Sequence, residues 1–276
     1  EPGASIPDGN PIDLAIATLH QLDPTGRMGI KVRLFAGIYA PDWAKSLGGP
    51  PISIVDPTTG SAGTVGRFWN DDFGAAYADL QAKLAAKYDT APEIREVTIS
   101  RCTTAYAEPF IRDASSPSTV AGLLAAGFTV AADQRCHRDE ILAHKVWIHT
   151  RSDLSFNPYQ IIDGTGRNDE TFTEDMMAFC RSTLDARCVL ANNSLRAPQL
   201  VPALYSELYV RMHSLGPPIA FQTAVLAKVG SLAATLEYAI SLGAGSVELP
   251  NGFQSMGLSA LADYNRQLAA NAVASP

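Results

Sequence analysis

Acidic, amide, basic and aromatic side chains recur in this chain directly after short apolar runs. Glu108 lies in the segment TTAYAEPF behind the run 95–101, and Glu248 lies within the run 246–249. Glycoside hydrolysis requires two carboxyl groups on opposite sides of the bond, one as the acid and the other as the nucleophile or base. Glu108 and Glu248 are therefore the candidate catalytic pair, with Asp42 as the second choice of partner for Glu108.

Glu108 has the neighbours that an acid catalyst needs. Pro109 follows it, and the aromatic residues Tyr106 and Phe110 lie on either side. An apolar setting favours the protonated carboxyl group. The alternative is an exposed loop glutamate, or an ion-pair partner for a nearby arginine. The alternative for Glu248 is a structural acid that holds an Arg or Lys side chain.

A sugar site also needs side chains that bind hydroxyl groups and aromatic faces that stack on the ring. The residues expected to serve these purposes are Asp42, Trp43, Trp69, Arg101, Tyr106, His149, Arg151, Asn192, Gln222 and Asn251. Trp69 precedes a clear amphipathic helix, so packing on that helix is an equal alternative. His149 is nearly as well suited to an internal hydrogen bond, and Trp147, inside an apolar run, is expected in the core.

Apolar, β-branched runs alternate along the chain with helical patterns, which predicts parallel strands joined by crossover helices. Helices are predicted over 12–22, 72–88, 118–125, 133–143, 173–184, 200–215, 231–242 and 258–270. Strands are predicted over 30–37, 95–101, 145–150, 188–192, 219–223 and 246–249, with a weaker one over 52–55. Functional side chains of such a fold gather at the carboxyl ends of the strands, where the candidate residues fall.

The predicted fold is therefore α/β, a (β/α)8 TIM barrel in which the whole chain, 1–276, forms one domain. A closed barrel of this kind needs eight strands. The segment EPGASIPDGNP ahead of the first predicted helix shows no strand pattern. Either the first strand is irregular there, or the sequence begins after it.

Composition and motifs narrow the classes of function. The net charge of −7 argues against a nucleic-acid partner, because phosphate binding needs a basic surface. No apolar run of about 20 residues is present, so no membrane span is predicted. The chain has no glycine-rich nucleotide motif and no Gly-x-Ser-x-Gly, so no cofactor is predicted. The short cluster CHRDE is too small to predict a metal site.

The four cysteines are Cys102, Cys136, Cys180 and Cys188, and their spacing fits no common zinc pattern. Cys180 lies near the end of a predicted helix and Cys188 starts the next predicted strand, so a turn would bring them within bonding distance. Cys102 and Cys136 would then form the second pair. Two disulfides indicate an oxidising compartment and a secreted protein. The alternative is four buried thiols.

Two runs of sequence resemble clan A glycoside hydrolases, especially the beta-galactosidase-like group. KVRLFAGIYAPDW resembles their second strand, which ends in a Pro and a Trp, and FGAAYADLQAKLAAKYDTAPEIREVTISRCTTAYAEP resembles the helix that leads into their fourth strand. The resemblance covers about residues 30–112. It implies a (β/α)8 barrel whose fourth strand delivers the acid/base Glu, often as Asn-Glu-Pro. Glu108 and Pro109 match that position, with Ala107 in place of the Asn.

The resemblance also implies a nucleophile Glu at the end of the seventh strand. The probable seventh strand, IAFQTA, has Gln222 there, so Glu248, one strand later, is the candidate for the second carboxylate. The favoured function is a hydrolase of glycosidic bonds in an extracellular oligo- or polysaccharide. The alternatives are a catalytically silent carbohydrate-binding barrel and a small-molecule lyase or isomerase.

Overall fold

The structure is a computed structural model that describes residues 3–56, 59–112, 114–163 and 165–273. Its helices are α1 Pro11–Leu22, α2 Asp42–Lys45, α3 Asp71–Tyr88, α4 Pro117–Ala125, α5 Val130–Ala143, α6 Glu170–Leu184, α7 Ala203–Ser214, α8 Leu226–Val229, α9 Leu232–Ser241 and α10 Leu258–Val273. Its strands are β1 Ile30–Val32, β2 Ile52–Val55, β3 Ala62–Val65, β4 Ile94–Thr98, β5 Arg151–Ser155, β6 Tyr159–Gln160, β7 Asn168–Asp169, β8 Cys188–Leu195, β9 Ile219–Thr223 and β10 Ala244–Glu248. Short 3-10 turns lie at His144–Val146, Asp185–Arg187, Pro198–Leu200 and Phe253–Met256.

The helices begin where side chains can cap them. Asn10 accepts hydrogen bonds from the backbone N–H groups of Ile12 and Asp13 at the start of α1, and Asn70 accepts one from Asp72 at the start of α3. All eight predicted helices are confirmed, with ends shifted by up to three residues. The short helices α2 and α8 were not predicted, because four residues are too few to show a helical period.

Six strands form one sheet in the order β1-β4-β5-β8-β9-β10. The pairs β1–β4, β8–β9 and β9–β10 are parallel. This confirms a mixed α/β fold with a parallel sheet and helices between its strands. The described residues do not supply eight strands to this sheet, and residues 3–10 ahead of α1 contain no strand.

The strand predicted over 145–150 is wrong. A 3-10 turn, His144–Val146, occupies its first part, and the strand begins only at Arg151. The Asp89 carboxylate accepts the backbone N–H groups of residues 148–150 at 2.8–3.1 Å, which holds them in a turn ahead of the sheet. Trp147 is buried, as predicted, but it lies in this turn and not in a strand.

The weaker strand over 52–55 is confirmed as a strand but does not belong to the main sheet. β2 pairs antiparallel with β3, so Ile52 lies opposite Val65. The Thr119 hydroxyl of α4 accepts the N–H of Val55 at 2.9 Å and donates to its carbonyl at 3.3 Å. β2 therefore hydrogen-bonds to a neighbouring hairpin strand and to a helix, and it cannot count as a barrel strand.

The chain divides into two compact units. Unit 1 comprises Glu1–Ser152 and Tyr159–Asp169, and unit 2 comprises Asp153–Pro158 and Glu170–Pro276. In unit 2, Tyr209 of α7 packs edge-to-face on Phe221 of β9, with ring centroids 5.1 Å apart. In unit 1, helices α1 and α3 pack on β1 and β4 around the buried side chains of Leu84, Ala85, Tyr88, Ile94, Val97 and Trp147.

Both predicted disulfides are confirmed. Cys102 is bonded to Cys136, and Cys180 at the end of α6 is bonded to Cys188 at the start of β8. Disulfides form and persist in oxidising compartments, which is consistent with an extracellular protein. No helix among the described residues is long and apolar enough to cross a membrane.

Removing the disulfides should destabilise the protein in proportion to the loops that they close. The bonds join residues separated by 8 and 34 positions. The chain-entropy relation gives about 2–3 kcal/mol for Cys180–Cys188 and about 4 kcal/mol for Cys102–Cys136. One variant replaces Cys180 and Cys188 by Ala, and the other replaces Cys102 and Cys136 by Ala. We expect urea titrations to show the smaller loss of unfolding free energy in the first variant and the larger loss in the second. A larger loss at Cys180–Cys188 would contradict the loop-length explanation.

Candidate functional site

The Glu108 loop, residues 105–112, is held by its own backbone and by a neighbouring strand. Glu108 is half-buried, and its carbonyl accepts the N–H of Ile111 at 3.1 Å, which closes a tight turn. Gln160 of β6 fixes the far side of this turn. Its N–H donates to the Phe110 carbonyl at 3.1 Å, and its side-chain oxygen accepts the N–H of Arg112 at 2.8 Å.

The Arg112 guanidinium lies beneath this turn and is fully buried. It forms a bidentate ion pair with Asp133 of α5, with N···O distances of 2.9 and 2.7 Å. It also donates to the carbonyls of Pro109 and Ile111, the latter at 2.9 Å. Burial disfavours the charge of Arg112, but the nearby Asp133 carboxylate outweighs this effect. The pKa of Arg112 is therefore raised. The loop that carries Glu108 is therefore anchored to α5 by a charged group with no exposure to water.

The hydrogen-bond directions around His137 follow from Arg112. A guanidinium only donates, so Nε2 of His137, 2.9 Å from Arg112 Nη2, must accept. Nδ1 then carries the proton and donates to Glu140 at 3.0 Å. Burial lowers the pKa of His137 to about 3, which keeps the ring neutral, and the ring stacks on Phe110 at 4.5 Å.

Glu140 completes the cluster. Its second oxygen accepts the N–H of Cys102 at 3.0 Å, and burial raises its pKa to about 7. Each of Cys102, His137 and Glu140 has one atom that could bind a metal ion, and these three atoms lie within 4.8 Å of one another. However, the Cys102 sulfur is bonded to Cys136, and Nδ1 of His137 donates to Glu140. The sulfur and the histidine nitrogen are therefore already bonded within the protein, so the cluster is structural.

The second candidate carboxylate lies in unit 2, at the end of β10. Glu248 is half-buried and is the register partner of Gln222 on β9. Phe221 faces Tyr209 of α7, and successive strand residues point to opposite faces. Gln222 and Glu248 therefore lie side by side on the face of the sheet that turns away from α7.

When β1 is taken as the second strand of clan A, the strand order of the sheet gives a count that differs from the one in the family comparison. β1 is the strand compared with the second strand of clan A, and β4 pairs directly with it, so β4 takes the third place and not the fourth. Glu108 therefore follows the third strand. Counting onward in the sheet, β9 with Gln222 takes the sixth place. On this count β10 with Glu248 takes the seventh place, whereas the seventh-strand position of Gln222 stays a prediction of the family resemblance.

The strand in the fourth place is β5, and its continuation lacks the expected glutamate. It runs into Phe156-Asn157-Pro158, which has an amide before its proline, whereas the family resemblance matched Glu108 and Pro109 to the Asn-Glu-Pro motif. Asn157 is fully buried, and its side-chain oxygen accepts a hydrogen bond from Asn192 at 3.2 Å. On the same count, this strand is followed by an amide that bonds to the protein itself and not by a glutamate.

Several predicted sugar-binding residues bond to the protein interior. Trp69 is buried edge-to-face against Phe68 and Phe128, which matches the alternative of packing at the start of α3. Arg101 is buried and donates to the carbonyls of Phe68 at 3.0 Å and Asn70 at 3.1 Å. Both residues therefore stabilise the segment that leads into α3.

Asn192 and Tyr106 also have internal partners. Asn192 is fully buried, donates to the Phe156 carbonyl at 2.7 Å and accepts from the Tyr209 hydroxyl at 2.7 Å. Tyr106 is half-buried and donates to Asp56 at 2.6 Å. Hydroxyl recognition by these two groups would have to replace or share protein hydrogen bonds.

The placement expected for His149 and Arg151 is wrong. Both were expected at the carboxyl end of a strand, but β5 starts at Arg151 and ends at Ser155, so they lie at its amino end. Asp89 determines this, because it holds the backbone N–H of His149 in the turn ahead of β5. Asn251 is exposed in the loop after β10.

An apolar groove of about 370 Å³ in unit 1 was not predicted. Trp43 lines it, while the neighbouring Asp42 is exposed in the first turn of α2. The α3 side of the groove comes from residues at helical spacing, Phe73, Tyr77 and Leu80. That spacing was visible in the sequence, but it also fits ordinary core packing.

The Arg112 cluster was likewise missed. Its signal was the occurrence of Asp133, His137 and Glu140 at positions i, i+4 and i+7, which places three ionisable groups on one face of a helix. Such a face is ordinarily solvated, and only the structure shows that it is buried against the Glu108 loop. The sequence segment CHRDE contains His137 and Glu140 of this cluster, but it was considered only as a metal site and was too small to predict one.

No protein-family model, no curated protein and no solved structure matches this chain. The geometry of its own residues therefore carries the functional argument. Glu108 and Glu248 are half-buried carboxylates on backbones held by a tight turn and a parallel ladder respectively. Each can accept or donate a proton at a fixed place.

His144 provides a pH test of the core of unit 1. It is fully buried between the Tyr77 hydroxyl at 2.9 Å and the Ser152 hydroxyl at 3.0 Å, and burial lowers its pKa to about 3. The unfolded chain binds this proton below about pH 6.5, whereas the folded protein does not. Stability contributed by neutral His144 is therefore present above pH 6.5 and is lost as the pH falls towards 3.

We expect His144→Gln to reduce the slope of unfolding free energy against pH between 4 and 6 by about 1.4 kcal/mol per pH unit, the effect of one proton. Denaturant titrations at a series of pH values measure this slope. Ser152→Ala removes a hydrogen-bond partner of His144 but no titrating group, so it should lower stability with the slope unchanged. Equal slopes in the parent, His144→Gln and Ser152→Ala would contradict the claim that neutral His144 makes stability depend on pH.

Proposed function

We propose that the protein is a secreted glycoside hydrolase on a (β/α)8 barrel, which cleaves O-glycosidic bonds of an extracellular oligo- or polysaccharide. Glu248 acts as the nucleophile or base and Glu108 as the general acid/base. The observation that carries the proposal is the position of Glu248, at the end of the strand in the seventh place and in register with Gln222. The family resemblance expects a nucleophile at that place.

The bracing of the Glu108 loop supports the role of Glu108. A general acid contributes only when its carboxyl group is held at hydrogen-bonding distance from the leaving oxygen. The turn closed by Ile111 and the buried Arg112 limit the movement of the backbone around Glu108. Glu108 as a whole is half-buried, with its Oε1 atom out of contact with solvent.

In this proposal Gln222 binds a sugar hydroxyl next to the nucleophile. Its side chain lies on the same face as Glu248, about one strand spacing or 4.8 Å away. An amide at this distance can donate to a hydroxyl group of the ring on which the carboxylate acts. Asn251, exposed in the following loop, is the candidate for a further hydroxyl contact.

A second candidate function is a carbohydrate-binding barrel that does not cut its ligand. Asn157 favours it, because this buried amide follows the strand in the fourth place when strands are counted from β1, and the family takes its acid/base glutamate from its fourth strand. Loss of that carboxylate without replacement would leave a sugar site with one catalytic group. Hydrolysis needs two, so this candidate depends on Glu108 having no part in proton transfer.

Release of sugar from plant, fungal and bacterial glycans tests the proposal. We expect the parent protein to release sugar from at least one glycan. Glu108→Gln and Glu248→Gln should each lower kcat at least about 100-fold, because each removes a proton-transfer or nucleophilic group. Both variants should still bind the glycan, since Gln retains the size and much of the hydrogen bonding of Glu.

Glu207→Gln is the matched control, since Glu207 is an exposed glutamate on α7, and it should keep parental kcat. Calorimetric binding of a glycan from which the parent protein releases no sugar would reject the hydrolase and support the binding barrel. Sugar release that is unchanged in Glu108→Gln would remove Glu108 from the mechanism.

A further inference from the structure

All five N–H groups of the Arg112 guanidinium have acceptors. Nε donates to one oxygen of Asp133, and Nη2 donates to the other oxygen and to Nε2 of His137. Nη1 donates to the carbonyls of Pro109 and Ile111. An arginine that uses its full set of donors on both a helix and a loop fixes one against the other.

We infer that Arg112 is a positioning residue, which sets the direction of the Glu108 side chain through the backbone of the turn that follows it. This inference rests on the proposed role of Glu108 as general acid/base. The Pro109 carbonyl belongs to the residue next to Glu108, and the Ile111 N–H donates to the Glu108 carbonyl itself. Nη1 therefore binds the turn on either side of its middle residue, Phe110.

The partners of Arg112 are themselves oriented. His137 is held by Glu140, and Glu140 accepts the N–H of Cys102, six residues ahead of Glu108. Cys102 is also bonded covalently to Cys136 on α5. Helix α5 is thus tied to the chain before the Glu108 loop by a disulfide and a hydrogen bond, and to the chain after Glu108 by the Arg112 cluster.

Stability alone does not explain this arrangement. Burying an ion pair costs desolvation energy, and apolar side chains of the same volume often stabilise a protein equally well. What an apolar replacement cannot supply is directional bonding to two carbonyls of a turn. Lysine cannot supply it either, because its three N–H groups lack the planar fork that binds Asp133 and leaves Nη1 for the loop.

Arg112→Lys tests the inference with two measurements. The first is hydrogen exchange of the Ile111 and Gln160 amides, which donate to the Glu108 and Phe110 carbonyls. We expect exchange of both amides to be at least tenfold faster than in the parent. The second is the steady-state kinetics on the glycan from which the parent releases sugar. There kcat should fall at least tenfold while KM changes less than twofold, because the loop is displaced but the proposed sugar-binding residues Gln222 and Asn251 lie outside it.

Leu84→Ala is the matched control for general loss of stability. Leu84 is buried in the separate core cluster around Trp147, so its truncation should lower Tm without faster exchange at Ile111 or a lower kcat. Should Arg112→Lys fail to fold, Gln160→Ala serves in its place, since Gln160 is half-buried and its side-chain oxygen accepts the backbone N–H groups of Arg112 and Ala114. It should speed Ile111 exchange in the same direction by a smaller factor.

The outcomes separate the inference from the proposed function. Parental exchange at Ile111 and Gln160 in Arg112→Lys, or equally fast exchange in Leu84→Ala, would overturn the positioning role. Fast exchange with parental kcat would overturn it as well, because the loop would then move without consequence for Glu108. If the parent releases no sugar, the hydrolase proposal fails, and the exchange measurements alone decide whether Arg112 holds the loop.

Discussion

The buried ion pair between Arg112 and Asp133 is the interaction on which the Glu108 loop and its attachment to α5 depend. Both side chains have no exposure to water. Two charges removed from water are tolerated only when every remaining donor and acceptor is bonded. That requirement brings the Pro109 and Ile111 carbonyls, His137 and the Tyr159 hydroxyl to the pair, the last donating to Asp133 at 2.9 Å. The shape of the loop follows from satisfying the charge.

The need to satisfy every buried polar group also fixes the hydrogen bonds between Arg112 and the chain that follows β4. Arg112 makes Nε2 of His137 an acceptor, His137 then donates to Glu140, and Glu140 accepts from the backbone of Cys102. Reversing any one of these bonds would place two donors or two acceptors face to face. The cluster therefore has one arrangement, and it ends at the chain that leaves β4 and carries the Glu108 loop. A charge buried beneath a loop thus specifies the path of that loop.

Local signals predicted the helices and the Cys180–Cys188 disulfide because the physics that decides them is local. Asn10 and Asn70 cap helices that begin one residue later, and Cys180 and Cys188 are joined across a short turn. The strand over 145–150 was wrong for the opposite reason. Its N–H groups are taken by Asp89, about 60 positions earlier, and no local pattern reports such a partner.

Candidate site residues divide in the same way. Glu248 was found because a carboxylate at a strand end is visible in sequence, and its register with Gln222 then emerged from the ladder. Residue type alone made Asn192 and Trp69 candidates for sugar binding. Partners far along the chain hold both: the Tyr209 hydroxyl donates to Asn192, and Phe128 packs on Trp69. Polar type and strand-end position indicate where a site can be. They do not show which side chains already have partners inside the protein.

Strand order changes which residue bears on catalysis. With Gln222 at the end of the seventh strand, the group absent from the proposed hydrolase would be the nucleophile. With β10 in the seventh place, as proposed, Glu248 supplies a carboxylate there, and the absent group is the acid/base of the fourth strand, where Asn157 stands. A hydrolase on this chain must therefore take its proton donor from another strand. Glu108, which follows β4, can be that proton donor only if its loop is held as firmly as a strand end. The buried charge of Arg112 holds the loop, so it matters to the proposed chemistry as well as to the fold.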